Sequence, residues 1–228
     1  MSDNTESLHA LYPFLHGQKK EPVQQNAALL DSIQQKAEHS RAEKKRFFAK
    51  NGAALLAAAT SLAKLYQQQH RLYSMGNGGS SCDAAHFAVE FQHPVTAGRP
   101  ALPAHNLSAD NAMMTAVGND VGMAQIFSRQ LEAYGQAGDG LVGFSTSGNS
   151  ENLLKAYQKA KQIGMVTLGF TGGDGGEMRR SGLLDHCLVV ESDSIHRVQE
   201  IHLTCYHILW DLTHTLLADQ RGNLGNKT

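Results

Sequence analysis

The sequence has almost no excess charge of either sign. Its 228 residues carry 20 Lys and Arg against 21 Asp and Glu, a formal net charge of -1. Binding to DNA or RNA normally requires a basic face, so nucleic acid is not an expected partner. No apolar run approaches the ~18 residues of a membrane span, and the amino terminus lacks the basic-then-apolar pattern of a secretory signal. We therefore expect no membrane partner and no export.

Cysteine is also scarce. The three cysteines, Cys82, Cys187 and Cys205, are odd in number and widely spaced. This pattern predicts reduced thiols rather than a disulfide framework, which favours a cytoplasmic location. The length suits one α/β domain and makes two full domains improbable.

The two ends of the chain carry no pattern of chemical interest. Residues 1–22 are polar without a sustained period, so we predict a flexible leader, and residues 221–228 are predicted to be a short tail. Residues 23–220 are predicted to form the single domain. Between Gln24 and about Gln69, apolar residues recur at helical intervals, which predicts two added amino-terminal helices with a break at Asn51–Gly52.

Five short apolar runs follow, and helical stretches separate them. The alternation predicts an α/β three-layer sandwich, in which a five-stranded parallel sheet carries helices on both faces. The last helix, about Ile195 to Ala218, has more apolar surface than one core face needs, which indicates a bundle or a subunit interface. The predicted strands are Leu72 to Met75, Ala104 to Leu107, Leu141 to Phe144, Val166 to Phe170 and Cys187 to Val190.

The first strand leads into a glycine-rich loop, Gly76 to Asp83, and a helical pattern starts at Ala84. Glycines let the backbone approach a ligand closely, and the start of a helix attracts an anion. The loop lacks the Gly-Lys-Ser/Thr of a Walker A motif, and Ser81 stands where the dinucleotide fingerprint has its third glycine. Taken alone, such a turn fits either an anion site or a purely structural role.

The third strand ends in a second polar loop, Ser145 to Ser150, directly before the helix Glu151 to Ile163. Four hydroxyls and the helix start can surround a phosphate without Arg or Lys. A serine-rich helix cap is the alternative, but capping needs only one such residue. Ligands of open parallel sheets collect at the carboxyl ends of the strands, so we expect both loops to form one phosphate site.

Several strings in this chain resemble phosphoheptose isomerases, which are SIS domain proteins. The resemblance spans about Arg71 to Ala218 and implies a flavodoxin-like SIS fold, a homotetramer, and a site shared between neighbouring subunits. It also implies an aldose-ketose isomerase that converts sedoheptulose 7-phosphate into D-glycero-D-manno-heptose 7-phosphate through an enediolate. The strings that carry it are Gly76 to Ser80 with Asp83 to Ala88, Ala116 to Asp120, Ser145 to Ser150, Phe170 to Gly173, and Val198 to His202.

The resemblance also implies the substrate-binding residues. Asp110 matches an acid near the sugar, although it could equally cap a helix that starts at Asn111. The set expected around the phosphate and the sugar is Asn77, Gly78, Gly79, Ser80, Asp110, Asn119, Asp120, Ser145, Thr146, Ser147, Ser150 and Gln199.

His86 and Glu90 stand four apart and so lie on one face of their helix. On their own they fit a metal site, a base or an ordinary solvated pair. The resemblance implies a zinc ion, one per subunit, held by residues matching His86, Glu90, Gln199 and His207. It further implies that Glu90 and His207 are the acid-base catalysts, and a packed interface histidine is the alternative for His207.

Gln199 and His207 are difficult to bring to one ion. Eight helical residues separate them, a rise of about 12 Å. Either the helix is irregular near Ser194 to Arg197 or the site combines helices of different subunits, and we favour the second.

The match weakens in one segment that bears on the substrate. Typical members carry an arginine shortly after the residue matching Glu90, whereas this chain reads Phe91-Gln92-His93-Pro94. His196 likewise stands where some relatives have an aspartate. The alternatives are therefore an isomerase of another phosphosugar and a non-catalytic SIS sensor or interaction module, of which the second tends to lose the residues matching Glu90 or His207.

Overall fold

The computed structural model describes residues 22–224, so the first 21 residues, with most of the predicted leader, lie outside the described part. The chain divides into two compact units, residues 1–42 and residues 43–228. In the first unit, the described residues belong to helix α1, Pro22–Gln67, and Leu29, Leu30 and Ile33 are exposed there. Every site discussed below lies in the second unit.

The predicted break in α1 at Asn51–Gly52 is wrong, because the helix is continuous through both residues. The Asn51 amide donates to the Phe47 carbonyl one turn earlier, so it supports the helix. Gly52 costs a helix interior roughly 1 kcal/mol relative to Ala. Burial of the flanking Phe47 and Leu55 outweighs this cost, since each contributes roughly 1.5–3 kcal/mol.

The predicted five-stranded parallel sheet is confirmed, and each strand covers the apolar run assigned to it except β2, which ends at Asn106, one residue before the predicted end. Every neighbouring pair is parallel, and the strand order is β2-β1-β3-β4-β5. The strands are β1, Leu72–Gly76, β2, Ala104–Asn106, β3, Gly140–Ser145, β4, Val166–Gly172, and β5, His186–Val190.

Helices connect the strands, and two of their ends differ from the prediction. The helix after β1 begins at Gly79 instead of Ala84, so part of the predicted glycine loop is helical. The last helix continues to Leu224, past the predicted end at Ala218 and into the predicted tail. The helices are α2, Gly79–Gln92, α3, Asn111–Asp120, α4, Ser128–Tyr134, α5, Glu151–Ile163, α6, Gly176–Arg180, and α7, Ile195–Leu224, with a 3-10 turn at Met123–Gln125.

Two buried clusters cover the two faces of the sheet. Successive strand side chains point to opposite faces, so Leu141 and Phe144 enter different clusters. Phe144 packs with residues of α1, α2 and α7, whereas Leu141 packs with residues of α3 to α6. The predicted helix layers on both faces are therefore confirmed.

This strand order reverses direction between β1 and β3. The connection from β1 leads outward to β2, while the connection from β3 leads to β4 on the other side. The carboxyl ends of two strands that diverge in this way leave a crevice, where ligands of doubly wound sheets bind. The two polar loops predicted from the sequence follow these two strands. In the described part of the chain, no helix is long and apolar enough to cross a membrane.

One buried histidine makes the stability of this fold depend on pH. Burial lowers the pKa of His202 to about 4, from 6.5 for an exposed imidazole. Between these values the unfolded chain binds a proton that the folded chain does not, so stability falls as the pH drops from 6.5 towards 4. The loss due to His202 is about 3 kcal/mol.

We expect His202→Gln to reduce this pH dependence, since glutamine does not titrate. Urea unfolding at several pH values between 7 and 4 measures it. The exposed His105 provides the control, because His105→Gln should keep the wild-type slope. Equal slopes for His202→Gln and the wild type would contradict the assignment.

Candidate active site

The loop after β1 is a tight turn onto the start of α2. Gly78 has a φ of 53°, in the left-handed region that favours glycine. A Cβ on Gly76 would lie 2.2 Å from the Ser80 carbonyl oxygen, so the close turn requires glycine there. The Ser80 and Ser81 amides are used within the turn, donating to the carbonyls of Asn77 and Gly78. The start of α2 thus faces the crevice with its positive dipole end.

The loop after β3 packs against the segment after β4, which holds its backbone in place. The Ser145 hydroxyl lies 3.0 Å from the Ser150 hydroxyl and accepts from the Gly148 amide. Gly148 has a φ of 66°, and a Cβ there would lie 2.1 Å from the Gly175 carbonyl oxygen. The Met178 amide donates to the Gly148 carbonyl from α6. The serine loop is therefore preorganised, with Thr146 partly exposed and Ser147 exposed.

The two loops are joined by a pair of asparagines. Asn77 and Asn152 exchange amide hydrogen bonds of 2.9 and 2.8 Å. Ser108, after β2, bonds the Gly76 backbone as both donor and acceptor. Neither Asn152 nor Ser108 was predicted from the sequence, although for Asn152 a polar residue in the first turn of a helix after a serine loop was a usable signal.

A cavity of about 660 Å³ lies between these loops and the start of α3. Of the residues predicted to bind substrate, Asn77, Gly78 and Ser150 line it. The full lining is Gly76, Asn77, Gly78, Ser81, Ser108, Asn111, Met114, Met123, Ala124, Ser150, Glu151 and Asn152.

Three more of the residues predicted to bind substrate, Asp110, Asn119 and Asp120, lie at the two ends of α3. The Asp110 side chain accepts from the Met113 amide at 2.9 Å, so it caps this helix, which is the alternative role considered for it. Asn119 and Asp120 are exposed at the opposite end and bond to each other. They stand roughly 12 Å along the helix from Asn111, which lines the cavity. Within one chain, the structure does not bring them to the cavity.

His86, Glu90 and His207 form one cluster. The His86 Nε2 lies 3.0 Å from the Glu90 Oε1, and the His207 Nε2 lies 4.0 Å from the same oxygen. The two imidazole centroids are 5.0 Å apart. His86 and Glu90 lie on α2 and His207 on α7, so the packing of two helices brings them together.

The environment of this cluster keeps His207 neutral near pH 7. Burial, together with the neighbouring His86, lowers the His207 pKa, and the Glu90 charge only partly opposes this. A neutral imidazole can donate or accept a proton, as acid-base chemistry requires. Asp83, one turn before His86, is a second perturbed group, because burial raises its pKa to about 6.

Tyr206 is a member of this cluster that the sequence did not reveal. It is buried, and its hydroxyl lies 2.8 Å from the His86 Nδ1. Its ring also contacts the rings of Phe87 and Phe144, which belong to α2 and β3. Tyr206 was missed because it falls within the apolar stripe of its helix, and a tyrosine in such a stripe is normally interpreted as a core residue.

Gln199 lies elsewhere in the same chain. A Cβ on Gly79 would lie 2.5 Å from the Gln199 Nε2, so this amide packs on the first turn of α2. Helix α7 is regular from Ile195 onwards, which rules out the irregular start considered above. Within one chain, Gln199 therefore does not join His86, Glu90 and His207.

The cluster fits a zinc ion chemically. Its three potential ligand atoms lie within 4.8 Å of one another. Two imidazoles and one carboxylate are a common catalytic zinc set, which leaves one position for water or substrate. The neutral state of His207 agrees with ligation, because a metal requires a free nitrogen lone pair.

The segment that departs from the familiar pattern turns away from the cluster. The Gln92 amide donates to the Ala104 carbonyl on the edge strand. Arg99, the first arginine after Glu90, stacks 4.3 Å from the Trp210 ring centroid and pairs with Asp211 on α7. This arginine therefore holds the loop on α7.

Comparison with known proteins agrees with this geometry. The family model "SIS domain" matches residues 37–172. A phosphoheptose isomerase of Desulfovibrio desulfuricans is 44% identical over 189 residues, covering 82% of this chain and 89% of the relative. The structure of a Francisella tularensis phosphoheptose isomerase superposes with a TM-score of 0.78 at 34% identity, covering 82% of this chain and 98% of the other. That of Neisseria gonorrhoeae gives 0.76 at 33% identity, covering 82% and 99%.

The rigid serine loop yields a direct test of the phosphate site. We expect Gly148→Ala to weaken binding of inorganic phosphate at least tenfold, because the new Cβ would displace the Gly175 backbone. Isothermal titration measures the affinity. Gly164→Ala is the matched control, since Gly164 also has a positive φ but a Cβ there would only reach 3.6 Å from Ala137. Unchanged phosphate affinity in Gly148→Ala would show that this loop does not bind the phosphate.

Proposed function

The chain belongs to the phosphoheptose isomerase family of SIS domain proteins, and we propose that it interconverts the aldose and ketose forms of a phosphosugar. The proposed reaction converts sedoheptulose 7-phosphate into D-glycero-D-manno-heptose 7-phosphate. The observation that carries this proposal is the position of Glu90 between His86 and His207. Glu90 lies near the end of α2, and the cavity that would hold the phosphate lies at the start of the same helix.

The phosphate would be bound first, between the loops after β1 and β3. Hydroxyl and amide donors with two helix starts supply the field for the anion. Fixing the phosphate there directs the rest of the sugar along α2. Gly79 and His86 are separated by a rise of about 10 Å, so the carbonyl end of an extended substrate reaches the cluster.

Glu90 would then act as the base. Its carboxylate takes the weakly acidic proton from the carbon beside the carbonyl and returns it to the neighbouring carbon. The neutral imidazole of His207 donates a proton to the oxygen of the original carbonyl and then takes one from the neighbouring hydroxyl, whose oxygen becomes the new carbonyl. The side-chain exposure of Glu90 is 18%, so the carboxylate is partly shielded, yet the proton that it carries can still exchange with solvent.

The proposal predicts that both groups are essential. Glu90→Gln and His207→Asn should each reduce solvent deuterium exchange at the carbon next to the carbonyl by about 10²–10⁴-fold or more. NMR across C5 to C7 sugar phosphates measures the exchange and identifies the substrate. Glu132→Gln and His105→Asn, at exposed positions outside the cavity and the cluster, are matched controls that should retain it.

Two outcomes would redirect the proposal. Absence of exchange on every sugar with phosphate binding intact would refute the enzyme and favour a non-catalytic sensor. Exchange confined to another phosphosugar would keep the chemistry and change the substrate, in line with the unusual Gln92 to Pro94 segment.

We further propose that His86, Glu90 and His207 hold one zinc ion per chain. When bound, zinc would act as a Lewis acid for the negative charge that develops on the sugar oxygens. Gln199 would complete the set from a neighbouring subunit, which makes a homotetramer with shared sites the proposed assembly. The free thiols Cys82, Cys187 and Cys205 support a reducing compartment, and we propose the cytoplasm.

Native mass spectrometry tests the metal and the assembly together. The expected species is four chains with four zinc ions, and Gln199→Ala should lower the zinc content without unfolding the protein. A monomer that retains its zinc would show that one chain suffices. A tetramer purified without chelator and free of metal would refute the zinc site.

A further inference from the structure

Tyr206 occupies a position that the reaction described above does not require. Its phenol is buried, and the hydroxyl lies 2.8 Å from the His86 Nδ1. On the other side of the imidazole, the His86 Nε2 lies 3.0 Å from the Glu90 carboxylate. Both nitrogens of His86 therefore have a partner, and the two partners differ in chemistry.

The two states of the proposed zinc site demand opposite tautomers of His86. Without metal, the Nε2 hydrogen donates to the Glu90 carboxylate, and the Nδ1 lone pair accepts from the phenol. With metal, Nε2 must offer its lone pair, so the hydrogen of the neutral imidazole stands on Nδ1. The bond between Nδ1 and Tyr206 then runs in the opposite direction.

A hydroxyl can serve both states. It donates one hydrogen and accepts through two lone pairs, and it changes role by rotating about its C–O bond. Carboxylates and backbone carbonyls, which commonly orient metal-binding histidines, only accept. We infer that Tyr206 is a positioning residue that holds the His86 ring in both tautomers, so that the Nδ1 bond reverses when zinc binds.

Asp83 offers an acceptor for the hydroxyl hydrogen of Tyr206 once the phenol oxygen accepts from Nδ1. It lies on α2 one turn before His86, and its Oδ2 is buried without a hydrogen-bond partner among the described residues. The Asp83 charge acts on the Tyr206 phenol, and a phenol keeps its hydrogen at neutral pH, since its ordinary pKa is about 10. When Nδ1 donates to the phenol oxygen, the hydroxyl hydrogen is free to turn towards this carboxylate.

The proposed change of the His86 tautomer neither adds nor removes a proton overall. His86 loses the hydrogen on Nε2 and gains one on Nδ1, so the number of protons on the ring does not change. Exchange with water carries both protons, and the phenol ends with the hydrogen it began with. The inference rests on the proposed zinc site but not on the isomerase reaction.

The experiment reads the tautomer directly. Long-range proton-nitrogen NMR of histidine-labelled protein should show the His86 hydrogen on Nε2 in the zinc-free form and on Nδ1 after zinc is added. In Tyr206→Phe the His86 ring has no partner on Nδ1 and must be ordered when zinc binds, so competition with a chelating indicator should show a zinc affinity reduced about 10–100-fold. Tyr157→Phe is the matched control, because it removes a buried phenol that donates to the Leu168 carbonyl outside the cluster.

The outcomes separate this inference from the proposed reaction. Equal zinc affinity in Tyr206→Phe and the wild type, or a His86 hydrogen that stays on Nε2 in the zinc form, overturns the inference. A wild type that binds no zinc overturns it as well, even where deuterium exchange is normal. The expected tautomer change in a protein that exchanges no deuterium supports the inference and refutes the isomerase.

Discussion

The packing of α2 against α7 is the constraint on which the rest of the site depends. Phe87 of α2 contacts both Phe144 of β3 and Tyr206 of α7, with ring centroids 5.8 and 6.3 Å apart. This contact fixes the rotation of both helices, because ring pairs tolerate little displacement in a close-packed core. His86, Glu90 and His207 are neighbours of these rings in sequence, so their geometry follows from the core.

The fold places the cavity at one end of helix α2 and the cluster of His86, Glu90 and His207 near its other end. Helix α2 starts at the cavity between the two loops and carries His86 and Glu90 two to three turns later. The strand order fixes where α2 begins, and the aromatic contacts fix which face it presents. A ligand that spans this distance can be bound at one end and deprotonated at the other, which is what an isomerase of a phosphosugar requires.

The fold was largely predictable because it depends on local patterns. Five apolar runs with polar ends predicted the five strands, and the connections between them predicted parallel pairing. The continuity of α1 at Asn51–Gly52 was not predictable, since it depends on burial by distant residues. Tyr206 and Asn152 were missed for a related reason: their roles arise from contacts between elements far apart in sequence. The separation of Gln199 from His207, in contrast, followed from helix geometry alone.

The cavity between the two loops is lined by glycines, hydroxyls and amides, together with Met114, Met123, Ala124 and the Glu151 carboxylate, and among its described lining residues there is no lysine or arginine. Neutral donors act only at contact distance, so added salt screens little of their attraction for an anion. Phosphate sites built from cations weaken as ionic strength rises and draw ligands in through a long-range field. This cavity lacks that field, so it should admit ligands at the rate of ordinary diffusion and discriminate among anions by shape and hydrogen-bond number.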